Sequence, residues 1–171
     1  MKKDVKVSVV ITTYKRKPYI LQRAIESVEA QTYKDYEIVV INDAPDYSKR
    51  SEIDQVISNS KFPIVYHVNP KNLGGNAARN QGIQRANGEY IAFLDDDDEW
   101  LPSKLEKIIP AFKENVGLVY SDMYLVESDG SKREIKRDSY DQGEQLKQLL
   151  GANYIGGFSN VIVKKADLDK C

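Results

Sequence analysis

Residues 95–98 are four consecutive aspartates, Asp95, Asp96, Asp97 and Asp98, with Glu99 directly behind them. Two carboxylates 4 Å apart repel by about 1 kcal/mol in water and about 4 kcal/mol near a protein surface. A crowded run of this kind favours a bound cation. Hard divalent ions such as Mg²⁺ or Mn²⁺ take oxygen ligands, commonly one or two carboxylates together with substrate phosphates. The plainer reading is a solvated acidic loop. The residues in front argue against it, because Tyr90, Ile91, Ala92, Phe93 and Leu94 form a short apolar run with the composition of a buried strand. The acids then stand at the strand's carboxyl end, where open α/β sheets bind ligands.

Other residues can complete such a site. Tyr14 offers an aromatic face, and Asp43 offers an acceptor for the N–H of a base. Arg79 and the amides near Gly74 and Gly75 open a helix, and a helix N-terminus favours anionic oxygens. Together with the aspartates these groups could hold a metal–nucleotide complex. Each also has a plainer role: Tyr14 as a surface tyrosine, Asp43 as a turn cap, Arg79 as a solvated helix residue. Gly74 and Gly75 lack the spacing of a Walker loop or a Rossmann fingerprint. His67 is the only histidine and falls on a strand away from the loops, which removes most hydrolase triads and histidine metal sites. An EF-hand loop starting at Asp95 would need glycine at its sixth position, where this chain has Trp100. An aspartyl-nucleophile phosphatase finds no supporting serine or threonine and lysine set.

Strands are read at residues 5–12, 37–42, 64–68 and 90–94, and helices at 18–28, 51–58 and 76–86. The first opens at Pro18, a tolerated helix start. Small residues Ala78, Gly82 and Ala86 permit the third helix to pack closely on a sheet. Residues 105–112 give a further amphipathic helix that Pro110 should end early. A longer strand is read at 116–126, a hairpin turn at Asp129 and Gly130, and an antiparallel return at 132–136. A short helix at 145–150 and a strand at 158–163 follow. Four alternations of strand and helix predict a layered α/β domain with a mostly parallel sheet. In that arrangement Thr13, Tyr14, Asp43, Asn72 and residues 95–98 converge on one edge.

Composition bounds the rest. A chain of 171 residues with 41% hydrophobic and 30% charged residues suits one soluble domain. A net charge of −1 offers no broad field for nucleic acid or an anionic membrane. No apolar run approaches the roughly 20 residues of a membrane span, and the start lacks a signal-peptide core. The sole cysteine is Cys171, so no internal disulfide forms, which fits a reducing cytoplasm.

Five blocks now carry a resemblance. They are residues 9–16, 31–33, 37–43, 72–80 and 93–100, in that order. Together they closely resemble the family 2 glycosyltransferases, inverting enzymes with the three-layer α/β/α GT-A fold. The resemblance runs from Val5 to about Val126 and more faintly to Val163. It implies a nucleotide-sugar donor, usually UDP-linked, Mg²⁺ or Mn²⁺ as cofactor, and a carbohydrate or lipid-linked acceptor of the kind used in cell-surface polysaccharide synthesis. It also implies a cytoplasmic location, with peripheral attachment to the inner membrane face left open. Thr13, Tyr14 and Arg16 match the base-contacting loop, Asp43 the acid that reads the uracil edge, and Asn72 and Arg79 the nucleotide side. Asp97 matches the metal ligand, with Asp95 or Asp96 toward the ribose, a register open by one residue.

The pattern breaks where relatives carry the catalytic base. Residues 155–157 are Ile155, Gly156 and Gly157, and no base is identified. Family members are longer, so residues 1–171 read as a single GT-A domain cut short on its acceptor side, binding donor and metal with weak or absent transfer. A non-catalytic binding or assembly domain of the same fold is the alternative. A sugar-1-phosphate nucleotidyltransferase would need a glycine-rich basic loop after the first strand, and residues 13–17 contain no glycine.

Overall fold

The computed structural model describes residues 6–137, 153 and 155–168. Its main sheet has six strands: β1 (Val7–Thr13), β2 (Tyr36–Asn42), β3 (Ile64–Val68), β4 (Tyr90–Asp95), β5 (Leu118–Tyr120) and β8 (Val161–Lys164). The order is β3-β2-β1-β4-β8-β5. The first four strands are parallel, with Val10 of β1 opposite Val39 of β2 and Phe93 of β4. β8 enters antiparallel between β4 and β5.

Strand alternation sorts the apolar residues to two faces. Val7, Val9 and Ile11 face helices α1 (Pro18–Glu29) and α2 (Arg50–Ser58), joined by Trp100 and Leu105. Val10, Val39, Ile41, Ile91 and Phe93 face α3 (Gly75–Arg85). The central strands are buried on both faces, which is why they read as continuous β-branched runs. Gly82 is where α3 touches the sheet: a Cβ there would lie 2.3 Å from Val10 Cγ1. The small face expected of this helix is therefore required by its packing.

Two expectations are corrected. The run 116–126 is not one strand. It splits into β5, in the main sheet, and β6 (Met123–Val126), which pairs with β7 (Lys132–Ile135) in a separate hairpin. Ser121 and Asp122 make the break. The Ser121 amide donates to Asn160 O and its hydroxyl accepts from Lys104 Nζ at 2.8 Å, while Asp122 accepts the Arg137 amide at 2.7 Å. The strand read at 158–163 starts later, because Phe158–Asn160 is a 3₁₀ turn. Pro110 behaves as expected: α4 (Lys104–Ile108) gives way to a 3₁₀ turn at Ile109–Ala111. The helix expected at 145–150 lies outside the described residues.

Candidate functional site

A cavity of about 370 Å³ opens at the carboxyl edge of the parallel strands. Thr13, Tyr14, Arg16, Asp43, Asn72, Arg79, Asp95, Asp96 and Asp97 all line it. The nine residues singled out in the sequence are thus brought to one place by the ends of β1, β2 and β4 and the start of α3.

On one side lies the loop after β1. Tyr14 is exposed, and Lys15 turns the chain with φ of 49°, placing its ammonium 5.4 Å from the Tyr14 ring centroid. Asp43, after β2, is buried. It accepts from Asn69 Nδ2 at 2.7 Å, from the Leu73 amide at 3.0 Å and from the Gly74 amide at 2.9 Å. Its carboxylate therefore shapes the 69–74 loop while bordering the cavity. Asn72 Oδ1 accepts the same Gly74 amide at 2.8 Å. The Gly74 amide, expected to face a ligand's anionic oxygens, is instead used within the chain. Gly74 has φ of +86°, a left-handed conformation that favours glycine, and this turn starts α3 beside the cavity.

The acidic run is sorted by its surroundings. Asp95, at the tip of β4, pairs with Arg79 at 2.6 Å. Asp96 turns inward, with its side chain only 6% exposed, and meets Arg16 Nε at 3.0 Å. Burial pushes the Asp96 carboxyl above its ordinary range. The nearby Thr13 hydroxyl and the Arg16 charge pull it back in part. Asp97 turns outward, with its side chain 51% exposed, and is met at 3.1 Å by the other arm of Arg16. Asp98 accepts from the Ser159 hydroxyl at 2.5 Å, and burial raises its carboxyl as well. Asp95 and Asp97 are consequently the acids that border the opening, while Asp96 lies beneath it.

Two residues of this edge, Phe158 and Ser159, were not legible as site residues. Ser159 Oγ also accepts the Asp95 amide at 2.9 Å, and Ser159 O accepts Trp100 Nε1 at 3.0 Å. One serine, more than 60 positions downstream, holds both ends of the acidic turn. The Phe158 ring lies 3.9 Å from the Arg79 guanidinium carbon. The available signal was an aromatic–serine pair just before an apolar strand, which does not point to a partner so distant in sequence.

A divalent cation fits the donor chemistry of this edge. Asp97 presents hard carboxylate oxygens to the opening, with Asp95 two residues before it, and two arginines balance the charge in this conformation. Among the described residues no three acidic, histidine or cysteine side chains are grouped to hold a metal. Ligands supplied by a bound phosphate group would complete the coordination, the usual arrangement for Mg²⁺.

A family model described as "Glycosyl transferase family 2" matches residues 8–169. The chain belongs to glycosyltransferase family 2, and its layered sheet is the GT-A fold. It is 32% identical over 96% of its length to an uncharacterized glycosyltransferase of Methanocaldococcus jannaschii, covering 57% of that protein. It is 31% identical over 93% of its length to the GalNAc(5)-diNAcBac-PP-undecaprenol beta-1,3-glucosyltransferase of Campylobacter jejuni, covering 52% of that protein. The chain thus spans about half the length of these curated relatives. Among solved structures, S. aureus TarS 1-349 in complex with UDP-GlcNAc superposes with a TM-score of 0.70 at 21% identity, over 97% of this chain and 47% of that one. The Pyrobaculum calidifontis mannosyltransferase PcManGT, in complex with GDP-Man and Mn²⁺, gives 0.70 at 15% identity over 99% and 47%. These two likenesses establish the fold. Among the described residues no helix is long and apolar enough to cross a membrane.

Proposed function

We propose that the cavity binds a nucleoside-diphosphate sugar, with uridine as the base, together with Mg²⁺ or Mn²⁺. We infer that the whole protein transfers the sugar, with inversion, to a hydroxyl of a carbohydrate or lipid-linked acceptor. One observation carries the reading. A base-sized aromatic and acid pair, an arginine and an outward-facing carboxylate share one cavity at the carboxyl edge of a parallel sheet. Tyr14, Thr13 and Asp43 lie on the base side, with Arg16 and Asn72 at the rim. Arg79 faces the diphosphate, Asp95 the ribose, and Asp97 holds the metal. The metal would stabilise the departing diphosphate. Relatives support the substrate class: TarS is solved with UDP-GlcNAc, PcManGT with GDP-Man and Mn²⁺, and the C. jejuni enzyme is named for an undecaprenol-linked substrate.

Isothermal titration with UDP, with and without Mn²⁺, tests the donor assignment. The unaltered chain should bind UDP more tightly with Mn²⁺. In Asp97→Ala the Mn²⁺-dependent gain should vanish, a loss of about tenfold or more. Because Asp97 is half-exposed, the melting temperature should change little. An unchanged Mn²⁺ dependence would remove the metal assignment.

A further inference from the structure

We propose that Phe158 is a positioning residue for the donor diphosphate, acting through Arg79. The inference rests on the donor-binding reading above and adds a residue that the cavity lining does not include. Arg79 reaches the opening from α3 as a long side chain with several rotatable bonds. Its guanidinium is held mainly on two sides, with only a long 3.4 Å bond from Nη1 to Asn76 Oδ1 besides. Nη2 donates to Asp95 at 2.6 Å, and the planar group lies 3.9 Å from the Phe158 ring. Phe158 is itself braced, edge to face, by the buried Phe93 at 5.8 Å, one residue before Leu94 and two before Asp95. The 3₁₀ turn at Phe158–Asn160 fixes this ring, because Ser159 is bonded to both Asp95 and Asp98. Ring, guanidinium and acidic turn therefore form one braced unit.

The consequence follows from charge. When the donor enters with a cation at Asp97 and its ribose at Asp95, the hold of Asp95 on Arg79 weakens, because that carboxylate is then shared with the ribose hydroxyls. An arginine held only by that ion pair would regain its rotamer freedom, which costs affinity when it must be reordered on a phosphate. A stacked ring keeps the guanidinium plane in place without consuming its N–H donors. Those donors stay available for the diphosphate oxygens. Phe158 is 43% exposed, so its replacement leaves the core intact.

The test compares UDP with uridine, both with Mn²⁺, by titration calorimetry on the unaltered chain and its variants. Phe158→Ala and Phe158→Leu should each weaken UDP about fivefold while leaving uridine unchanged. Phe158→Tyr, which keeps a ring face, should restore UDP affinity, whereas leucine keeps bulk alone. In an Arg79→Ala background, Phe158→Ala should have no further effect. Equal losses for UDP and uridine, or an undiminished loss in the Arg79→Ala background, would overturn the role of Phe158. Full UDP affinity in Phe158→Ala would do the same while leaving the donor reading intact. Failure of the unaltered chain to bind UDP would overturn that reading and this role together.

Discussion

The two edges of the main sheet are finished in opposite ways. At the amino edge polar groups close on one another. Ser8 Oγ donates to Glu37 at 2.6 Å and accepts the Gly88 amide at 2.8 Å, while the Asn87 amide also donates to Glu37. Lys6 pairs with Glu89 next to them. Few charges are involved: Lys6 and Glu89 pair with each other, and Glu37 accepts from the neutral donors of Ser8 and Asn87. At the carboxyl edge four aspartates are crowded onto one turn, two of them with carboxyls raised by burial. Two arginines must serve three of those acids. Local rules are broken at one end of the same strands and obeyed at the other, and such violations concentrate at functional sites. The amino edge is closed by its own hydrogen bonds, and the carboxyl edge is the one we propose binds the donor.

Gly88→Ala gives the largest expected effect on stability and probes the closed edge. A Cβ at position 88 would lie 2.5 Å from the Ser8 backbone nitrogen and 2.7 Å from the Val7 carbonyl carbon. Backbone cannot rotate aside as a side chain does. The variant should lose about 2–3 kcal/mol, or about 5–10 °C in melting temperature. Its UDP affinity, measured below that temperature, should be unchanged. A weakened UDP affinity in the folded variant would break the division between the edges.

Asp96→Asn probes the open edge by pH. The folded carboxyl is raised above its unfolded value, so its contribution is favourable at low pH and is lost as pH rises through the folded value. At neutral pH the buried charge is therefore a net cost, and the neutral isostere should be the more stable of the two. That advantage should shrink to nothing as pH falls below about 4. Thermal melts of both chains across that range measure it. A variant less stable than the parent at pH 7 would show that the Arg16 pairing outweighs desolvation. UDP titration of the same variant also settles the register of the acidic run. Retained Mn²⁺ dependence, set against its loss in Asp97→Ala, leaves Asp95 and Asp97 as the ligand-facing acids.

The contrast between edges also explains what the sequence could and could not disclose. Strands β1, β2 and β4 were legible because burial on both faces leaves a nearly continuous apolar signal, and β3, a partly buried edge strand, because its short run is rich in β-branched and aromatic residues. The residues following them were legible as a site because a parallel sheet sends every such loop to one edge. The intrusion of β8 between β4 and β5 was not, since pairing Ile91 with Val163 depends on contacts 72 positions apart. The same distance hid Phe158 and Ser159. The break at Ser121 and Asp122 was missed because it is held by Lys104, Asn160 and Arg137 rather than by a local turn signal. The Asp43 carboxylate was read as facing a ligand, whereas most of its hydrogen-bonding capacity shapes the 69–74 loop. Residue type revealed the chemistry available, and only packing revealed how much of it was already used.

The smallest expected effect tests whether the ligand edge also stores backbone strain. Lys15 is the only described non-glycine residue with positive φ, at 49°. The left-handed region costs an ordinary L-residue about 1–2 kcal/mol, and asparagine tolerates it best among the non-glycine residues. Lys15→Asn should therefore stabilise the chain by about 0.5–1 kcal/mol, raising the melting temperature by about 1–4 °C. It removes an exposed ion pair with Asp46 at 3.9 Å, which contributes little. It also removes the ammonium beside the Tyr14 ring. If the strained turn exists to present Tyr14 to a base, uridine affinity should fall by about twofold even as the melting temperature rises, since cation–π contacts at exposed sites are worth about 0.5–1 kcal/mol. A rise in stability with no change in uridine binding would confine Lys15 to loop geometry. A fall in stability would mean that the turn is not strained, and that the open edge differs from the closed one in its charges alone.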